Sequence, residues 1–349
     1  MTGIVSSDAK VGFLGPSGTF TEEALRSEPG LASARLVAMP SFFQVFEAVS
    51  SGEVDYGFVA IENSIEGSVS ITTDQLVFDR DLIIVGETVL PVTQNLLAPP
   101  GVSIDAIRQV VSFPHATAQC RTWLAEHLPD VDEVAATSTA EAVRQVAVAG
   151  PAGATTRGPD AGEGVSAAPG TQRFAAAIGT TLAGSIYGLE VLARGIEDNP
   201  DNMTRFVLVA RSDTRIPAPS GHDKTSVVCF QSSDHPGSLH GILGQFSARD
   251  LNLVKLESRP TKQGLGEYCF LIDFEGHVGD EIVADCLRDL HASLRSLKFL
   301  GSYPAAGYHG DGIRRAAREA WQEADRWIDA IRSLIVSDTV SADRQGGNL

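Results

Sequence analysis

A chain of 349 residues, 43% hydrophobic and 20% charged, is long enough for two or three domains at roughly 150 residues each and too apolar to stay disordered. Its 44 acidic against 27 basic residues leave a net charge of −17, a field that repels nucleic acid and anionic lipid, so neither is an expected partner. Lysine stands only at Lys10, Lys224, Lys255, Lys262 and Lys298, which leaves arginine and backbone N–H groups to hold any anionic ligand between positions 11 and 223.

Short apolar runs alternate with amphipathic segments along the first two hundred residues. KVGFLG precedes a helix over 19–27, DYGFVAI precedes one over 70–78, and LIIVGETVL follows. VVSF precedes a helix over 116–127, and AAAIG one over 181–192. This βα alternation predicts an α/β layered fold. Thr19 with Glu22, and Ser138 with Glu141, have capping-box spacing and mark two helix starts. The strand-like RFVLVAR, 205–211, is followed by a Pro/Ser/Gly stretch that predicts a linker over 213–223.

From Lys224 the order becomes strand, helix, strand, strand, helix, strand within about 80 residues, the ferredoxin-like split pattern. Residues 310–334 carry a helical period through Ile313, Ala317, Trp321, Ala324, Trp327, Ile328 and Ile331, and the polar tail after Ser337 reads as loose. The segment 150–173 is nearly all Gly, Ala, Pro, Ser and Thr and reads as a flexible insertion.

The cysteines Cys120, Cys229, Cys269 and Cys286 form no C-x-x-C pair and have no histidine at metal-ligand spacing, so buried free thiols in a reducing, cytoplasmic setting are expected, with no metal. No basic leader precedes an apolar run at the N-terminus. The most apolar stretch, 82–97, is broken by Glu87 and Pro91, so no membrane span is expected.

Four polar clusters follow strands, where open α/β folds bind ligands. In GFLGPSGTF, Ser17, Gly18 and Thr19 form a turn that aims N–H groups and a helix dipole at one point, a nest suited to a carboxylate, although a strand-turn-helix with a cap is also ordinary punctuation. After DYGFVAI come Glu62, Asn63, Ser64 and Glu66, which read as ligand contacts or as helix-entry capping residues. After VVSF, Ser112 ends a strand and Gln119 lies about two turns into the next helix, while His115 reads as an acid–base group or as surface dressing. Thr204, Arg205 and Phe206 open the last strand, with a hydroxyl and a two-pronged donor suited to a carboxylate.

Taken together, Gly15-Pro16-Ser17-Gly18-Thr19-Phe20, Ile61-Glu62-Asn63-Ser64 with Gly67, Ser112 to Cys120, and Thr204-Arg205-Phe206 preceded by Asp198 and Asn202 have the order and spacing of prephenate dehydratase, so residues 10–302 resemble that family. Phe113, Pro114 and His115 stand where the family often has His-Pro-Gln. The C-terminal part is similar to an ACT regulatory module, with Pro236-Gly237-Ser238-Leu239 at a helix start and Glu257-Ser258-Arg259-Pro260 at a strand end.

The resemblance implies a two-lobed catalytic region like a type II periplasmic binding protein over 1–212, with lobes of about 10–90 plus 195–212 and of 91–190. It implies an ACT domain over 224–302 and leaves 303–349 as a C-terminal helix and tail. The implied reaction takes CO2 and hydroxide from prephenate to give phenylpyruvate, with no cofactor. Thr204 is implied in departure of the hydroxyl; Asn63, Ser112, Gln119 and Glu62 as its partners; and Arg205, Phe206, Ser17, Gly18 and Thr19 in substrate binding. Phenylalanine is implied as a feedback effector held by Gly237, Ser238, Leu239, Glu257, Ser258, Arg259 and Pro260 in a homodimer or homotetramer. Arogenate dehydratase and a non-catalytic aromatic amino-acid sensor are the alternatives.

Overall fold

The computed structural model describes residues 5–150, 174–232, 235–264, 266–306, 323–324 and 326–334. The expected insertion therefore lies almost wholly outside the described residues, as does most of the C-terminal segment. In chain order the elements begin β1 (Lys10–Leu14), α1 (Phe20–Ser27), α2 (Pro29–Ala32), β2 (Arg35–Met39), α3 (Phe42–Ser51), β3 (Tyr56–Asn63), β4 (Gly67–Ser68), α4 (Ser70–Asp74), β5 (Leu82–Pro91) and β6 (Asn95–Ala98). Next come β7 (Ile107–Ser112), α5 (Pro114–Ala118), α6 (Arg121–His127), β8 (Asp132–Ala135), α7 (Thr139–Ala149), β9 (Phe174–Gly179), α8 (Thr181–Tyr187), β10 (Glu190–Arg194) and β11 (Met203–Arg211). The last set is β12 (Asp223–Phe230), α9 (Ser238–Ser247), β13 (Leu253–Pro260), β14 (Tyr268–Glu275), α10 (Glu281–Ser293) and β15 (Ser296–Pro304).

These strands build three sheets. The first runs β2-β1-β3-β11-β5 with β4 on β3, the second β10-β6-β9-β7-β8, and the third β13-β14-β12-β15. The chain leaves the first sheet after β5 and returns to it as β11, so the first lobe is discontinuous and two short connections join it to the second. Those connections bond to each other: Val92 N donates to Asn202 O at 2.8 Å and Ile196 N to Gln94 O at 3.0 Å.

Helix starts follow the expected caps. Thr19 Oγ1 accepts from Glu22 N at 3.3 Å and Ser138 Oγ from Glu141 N at 3.0 Å. Three elements differ from the sequence reading. The helix expected over 181–192 ends at Tyr187, and Glu190–Arg194 is instead strand β10, drawn to the free side of β6. The helix expected over 116–127 is broken at Gln119 and Cys120 because Asp198, from the returning connection, accepts from Thr122 N at 3.1 Å and caps a new helix there. Helix α3 was not foreseen from the sequence, although Ser41 caps it and Val45, Phe46, Ala48 and Val49 bury one face.

The third sheet is covered on both faces, which explains why TSVVCF and YCFLIDF are apolar without alternation. Val227, Cys229, Phe270, Ile272 and Phe274 pack under α9 and α10. Val228, Cys269, Leu271, Leu300 and Tyr303 face the other way and share one core with Val45, Val59, Ile84 and Val209 of the first lobe. At the seam, Gly301 lies so near β5 that a Cβ there would stand 2.1 Å from Ile84 O, and its φ of +139° is one that side chains avoid.

Candidate active site

The cleft between the two lobes collects the polar groups. Strands β3 and β11 pair with Asn63 opposite Thr204, and Asn63 Nδ2 donates to Thr204 Oγ1 at 2.9 Å. The same amide donates to Asn202 Oδ1 at 2.8 Å, while Asn63 Oδ1 accepts from Ile65 N and Glu66 N, both at 3.0 Å. Asn63 is thus fixed at both ends of its amide. Thr204 accepts, and among the described residues its own proton has no acceptor, so it is free to point into the cleft. Asn202 is buried and donates to Gln119 Oε1 of the second lobe at 3.4 Å, while Ser64 Oγ accepts from Met203 N at 2.9 Å. Gln119 stands at the break between α5 and α6, not inside a helix, and this turns it toward the hinge; its carbonyl accepts from Asp198 N.

The lobes also meet at the glycine-rich turn. Thr180 Oγ1 donates to Gly18 O at 2.7 Å and Tyr187 Oη to Ser17 O at 3.0 Å. The N–H of Gly18 is already taken by the carboxylate of Glu22 at 2.8 Å, itself paired with Arg26 at 2.6 Å. The expected carboxylate nest therefore holds a carboxylate of its own chain. Thr19 caps α1 and also donates to Leu14 O at 3.2 Å. Farther out, His115 Nδ1 lies 3.5 Å from Glu66 Oε2 across the cleft and its ring stacks on Phe113, with both members of the His115–Glu66 pair exposed.

Other sequence candidates are committed elsewhere. Ser112 is fully buried, and its hydroxyl donates to Ile178 O at 3.0 Å within the second sheet. Phe206 is buried and stacks on Phe58 at 5.4 Å. Arg205 points to the opposite face of β11 from Thr204, away from the cleft. Its Nε meets Glu87 at 2.7 Å, its Nη1 meets Glu62 at 3.1 Å, and its Nη2 meets Asp273 at 2.7 Å and Tyr303 Oη at 3.1 Å. All three nitrogens are used, so the guanidinium expected to hold a substrate carboxylate instead ties the first lobe to the third sheet. Burial opposes its charge, and Asp273, Tyr303 and Glu87 more than restore it. Asp273, Glu87 and Tyr303 were missed from the sequence; the signal was a lone acid within the apolar runs YCFLIDF and IIVGETV.

The four thiols are buried and unpaired. Burial pushes Cys120 and Cys229 up to about 12, which makes them poor nucleophiles. Among the described residues no three His, Cys, Asp or Glu side chains group as metal ligands, and no helix is long and apolar enough to cross a membrane.

The effector candidates divide between two surfaces. Gly237 caps α9 with a φ of +89°, and Ser238 and Leu239 form its first turn. Ser258 and Pro260 are exposed, whereas Glu257 and Arg259 turn to the first lobe. Glu257 accepts from Ser68 Oγ at 2.6 Å and pairs with Arg259 at 2.7 Å, and Arg259 pairs with Asp74 and bonds Ser70 at 3.1 Å. Lys255 lies 3.5 Å from Glu257 and 3.6 Å from Glu62.

Comparison with known proteins places this geometry. The family model for prephenate dehydratase matches residues 11–214 and that for the ACT domain residues 225–292. A prephenate dehydratase of Mycolicibacterium vanbaalenii is 39% identical over 335 residues, covering 92% of this chain and 98% of its own. The crystal structure of prephenate dehydratase from Arthrobacter aurescens in complex with L-Phe is 40% identical with a TM-score of 0.76, covering 93% of this chain and 99% of that one. A solved chain described as a novel type of quorum-quenching acylase is 28% identical with a TM-score of 0.71, covering 85% and 98%. With a first model spanning more than half the chain and a relative this similar over nearly its whole length, the chain belongs to the prephenate dehydratase family and carries an ACT domain after the catalytic lobes.

Proposed function

We propose that the pair formed by Thr204 and Asn63 is where prephenate loses its hydroxyl. Membership of the family makes the activity a carbon–oxygen lyase reaction, in which prephenate gives phenylpyruvate, CO2 and water. The carboxyl C–C bond breaks, its electrons enter the ring as the aromatic sextet closes, and the ring C–OH bond breaks, with the departing hydroxide taking a proton. The ring supplies most of the driving force, so the protein must position the dianion and assist one leaving oxygen. The single observation that carries this reading is the 2.9 Å bond from Asn63 Nδ2 to Thr204 Oγ1. It occupies the threonine as an acceptor and leaves its proton as the donor facing the cleft, where a hydrogen bond to the leaving oxygen gains strength as charge develops. Gln119, brought to the same place through Asn202, supplies a second polar group from the other lobe. Glu62 acts from behind the sheet, through Arg205. Ser112 holds the second sheet together beneath the cleft.

Phenylalanine is the proposed feedback effector, as the bound L-Phe of the Arthrobacter aurescens enzyme supports. Its carboxylate suits the N-terminus of α9 at Gly237, Ser238 and Leu239, with Ser258 on the same face of the sheet. Strand β13 is an edge strand of the third sheet and exposes Val254 and Leu256, which supports a second copy of the chain completing the pocket in a homodimer or homotetramer. Four reduced, buried thiols suit a cytoplasmic enzyme. The deciding experiment supplies purified protein with prephenate and arogenate in parallel, with and without phenylalanine. Phenylpyruvate from prephenate, suppressed by phenylalanine, is the expected result. Turnover of arogenate alone would reassign the substrate, and no turnover of either would leave a sensor.

A further inference from the structure

The geometry points to Arg205 as a positioning residue for the reaction, held from the regulatory sheet by Asp273, so that the ACT domain helps to fix the Thr204–Asn63 pair. The inference rests on the reading of that pair as the reacting site. Thr204 and Arg205 are neighbours on β11, one facing the cleft and the other the domain seam, so anchoring the second fixes the backbone that aims the first. Their partners are neighbours too, since Asn63 stands opposite Thr204 and Glu62 opposite Arg205. The register between β11 and β3 shifts between Arg205 and Phe206, so on that side the ladder is locally irregular, whereas the pairing with β5 runs without a shift from Met203 to Leu208. Beyond the backbone pairing, the side chain of Arg205 is gripped by an ion cluster: Glu62 and Glu87 from the first lobe and Asp273 and Tyr303 from the third sheet, all on one guanidinium.

The cluster is balanced. Lys224 Nζ meets both oxygens of Glu87 at 2.7 and 2.9 Å, Lys255 stands near Glu62, and Ser226 Oγ lies 2.7 Å from Tyr303 Oη. Three carboxylates thus face three cations. Stability alone does not account for it, because well-packed apolar side chains in such a seam commonly stabilise as much as buried ion pairs do. An apolar seam would, however, lack directional bonds to hold one strand residue in one place, which is what a threonine aimed at a leaving oxygen requires.

The test uses the full chain and compares Asp273→Asn, Arg205→Met and the double variant with the parent, reading kcat and KM per folded enzyme, with folding followed by near-ultraviolet circular dichroism. Asp273→Asn is expected to lower kcat about tenfold with KM within about twofold, and the double variant to lose no more than Arg205→Met alone. Unchanged kcat per folded enzyme, or losses that multiply in the double variant, would overturn the inference. If Asp273→Asn does not fold, Tyr303→Phe decides, since it keeps the ring and removes one partner of Arg205. A several-fold fall in kcat supports the inference and parental kcat defeats it. Thr204→Ala is run alongside: retained turnover there defeats the site itself, whereas lost turnover there with parental kcat in the seam variants defeats only the positioning role.

Discussion

Asn63 and Thr204 face each other across β3 and β11, and the 2.9 Å bond between them joins the end of an early strand to the start of the last strand of the same lobe, 141 residues later. The pair therefore exists only once the discontinuous lobe has closed on the returning strand. Asn63 is itself held by the turn at Ile65 and Glu66, so the threonine inherits the rigidity of a strand end and of a turn together.

Thr204→Ala should lower turnover by about 10²-fold with little change in melting temperature, because it removes one half-buried hydroxyl from a strand that keeps its ladder. Thr204→Ser should retain part of the activity, since the hydroxyl remains but can rotate away from Asn63. Phenylpyruvate formed per second in the two variants is the measurement, and parental turnover in the alanine variant would place the chemistry elsewhere.

Gly301→Ala should loosen the regulatory domain from the first lobe. The added carbon would stand 2.1 Å from Ile84 O, and the φ of +139° is unfavourable for alanine, so β15 must retreat from β5 at a cost of about 3 kcal/mol. Denaturant unfolding should then separate into two transitions, while a single transition at the parental midpoint would show that the seam accommodates the change.

The regulatory module was largely legible in the sequence because its strand and helix order follows a local period, whereas the burial of TSVVCF and YCFLIDF on both faces emerged only from the structure. The catalytic elements were legible for the same reason, but their side-chain destinations were not. Arg205 reads as a carboxylate holder until the strand's alternation is combined with a second domain behind it, and periodicity does not say which domain covers which face. The same limit hid Asp273. Asp198 breaks the 116–127 helix from almost eighty residues away, a tertiary cap that no local pattern announces. Strand β10 continues what looks like a helix because sheet pairing with β6 outweighs the local period.

Acid should weaken the domain seam through Asp273. Burial alone would raise its carboxyl, but Arg205, Ser226 and Lys224 hold it below the ordinary 3.8. A depressed carboxyl contributes stability that is fully present above the unfolded value and is lost as pH falls through the folded one, so the loss should fall below about pH 4. Melting temperature against pH should drop more steeply there for the parent than for Asp273→Asn, and parallel curves would show that this carboxylate does not carry the acid response.

Substitutions on the two faces of β13 should separate effector binding from its transmission. Ser258 is exposed on the face shared with α9, whereas Arg259 reaches Asp74 and Ser70 of the first lobe and Glu257 holds Ser68. An effector shifts an equilibrium only through differential affinity for two states, and something must connect its site to the lobe that reacts. Glu257 and Arg259 are the residues of β13 that reach the first lobe, which makes them the residues to test for that connection. Arg259→Gln should therefore leave phenylalanine binding by calorimetry near parental while weakening inhibition of turnover. Ser258→Arg, which adds bulk beside the start of α9, should weaken binding itself. Gly237→Val is a poorer probe, because a φ of +89° would strain valine whether or not a ligand sits there. Loss of phenylalanine binding in Arg259→Gln would move that residue from the connection into the pocket, and full inhibition in the same variant would remove it from both.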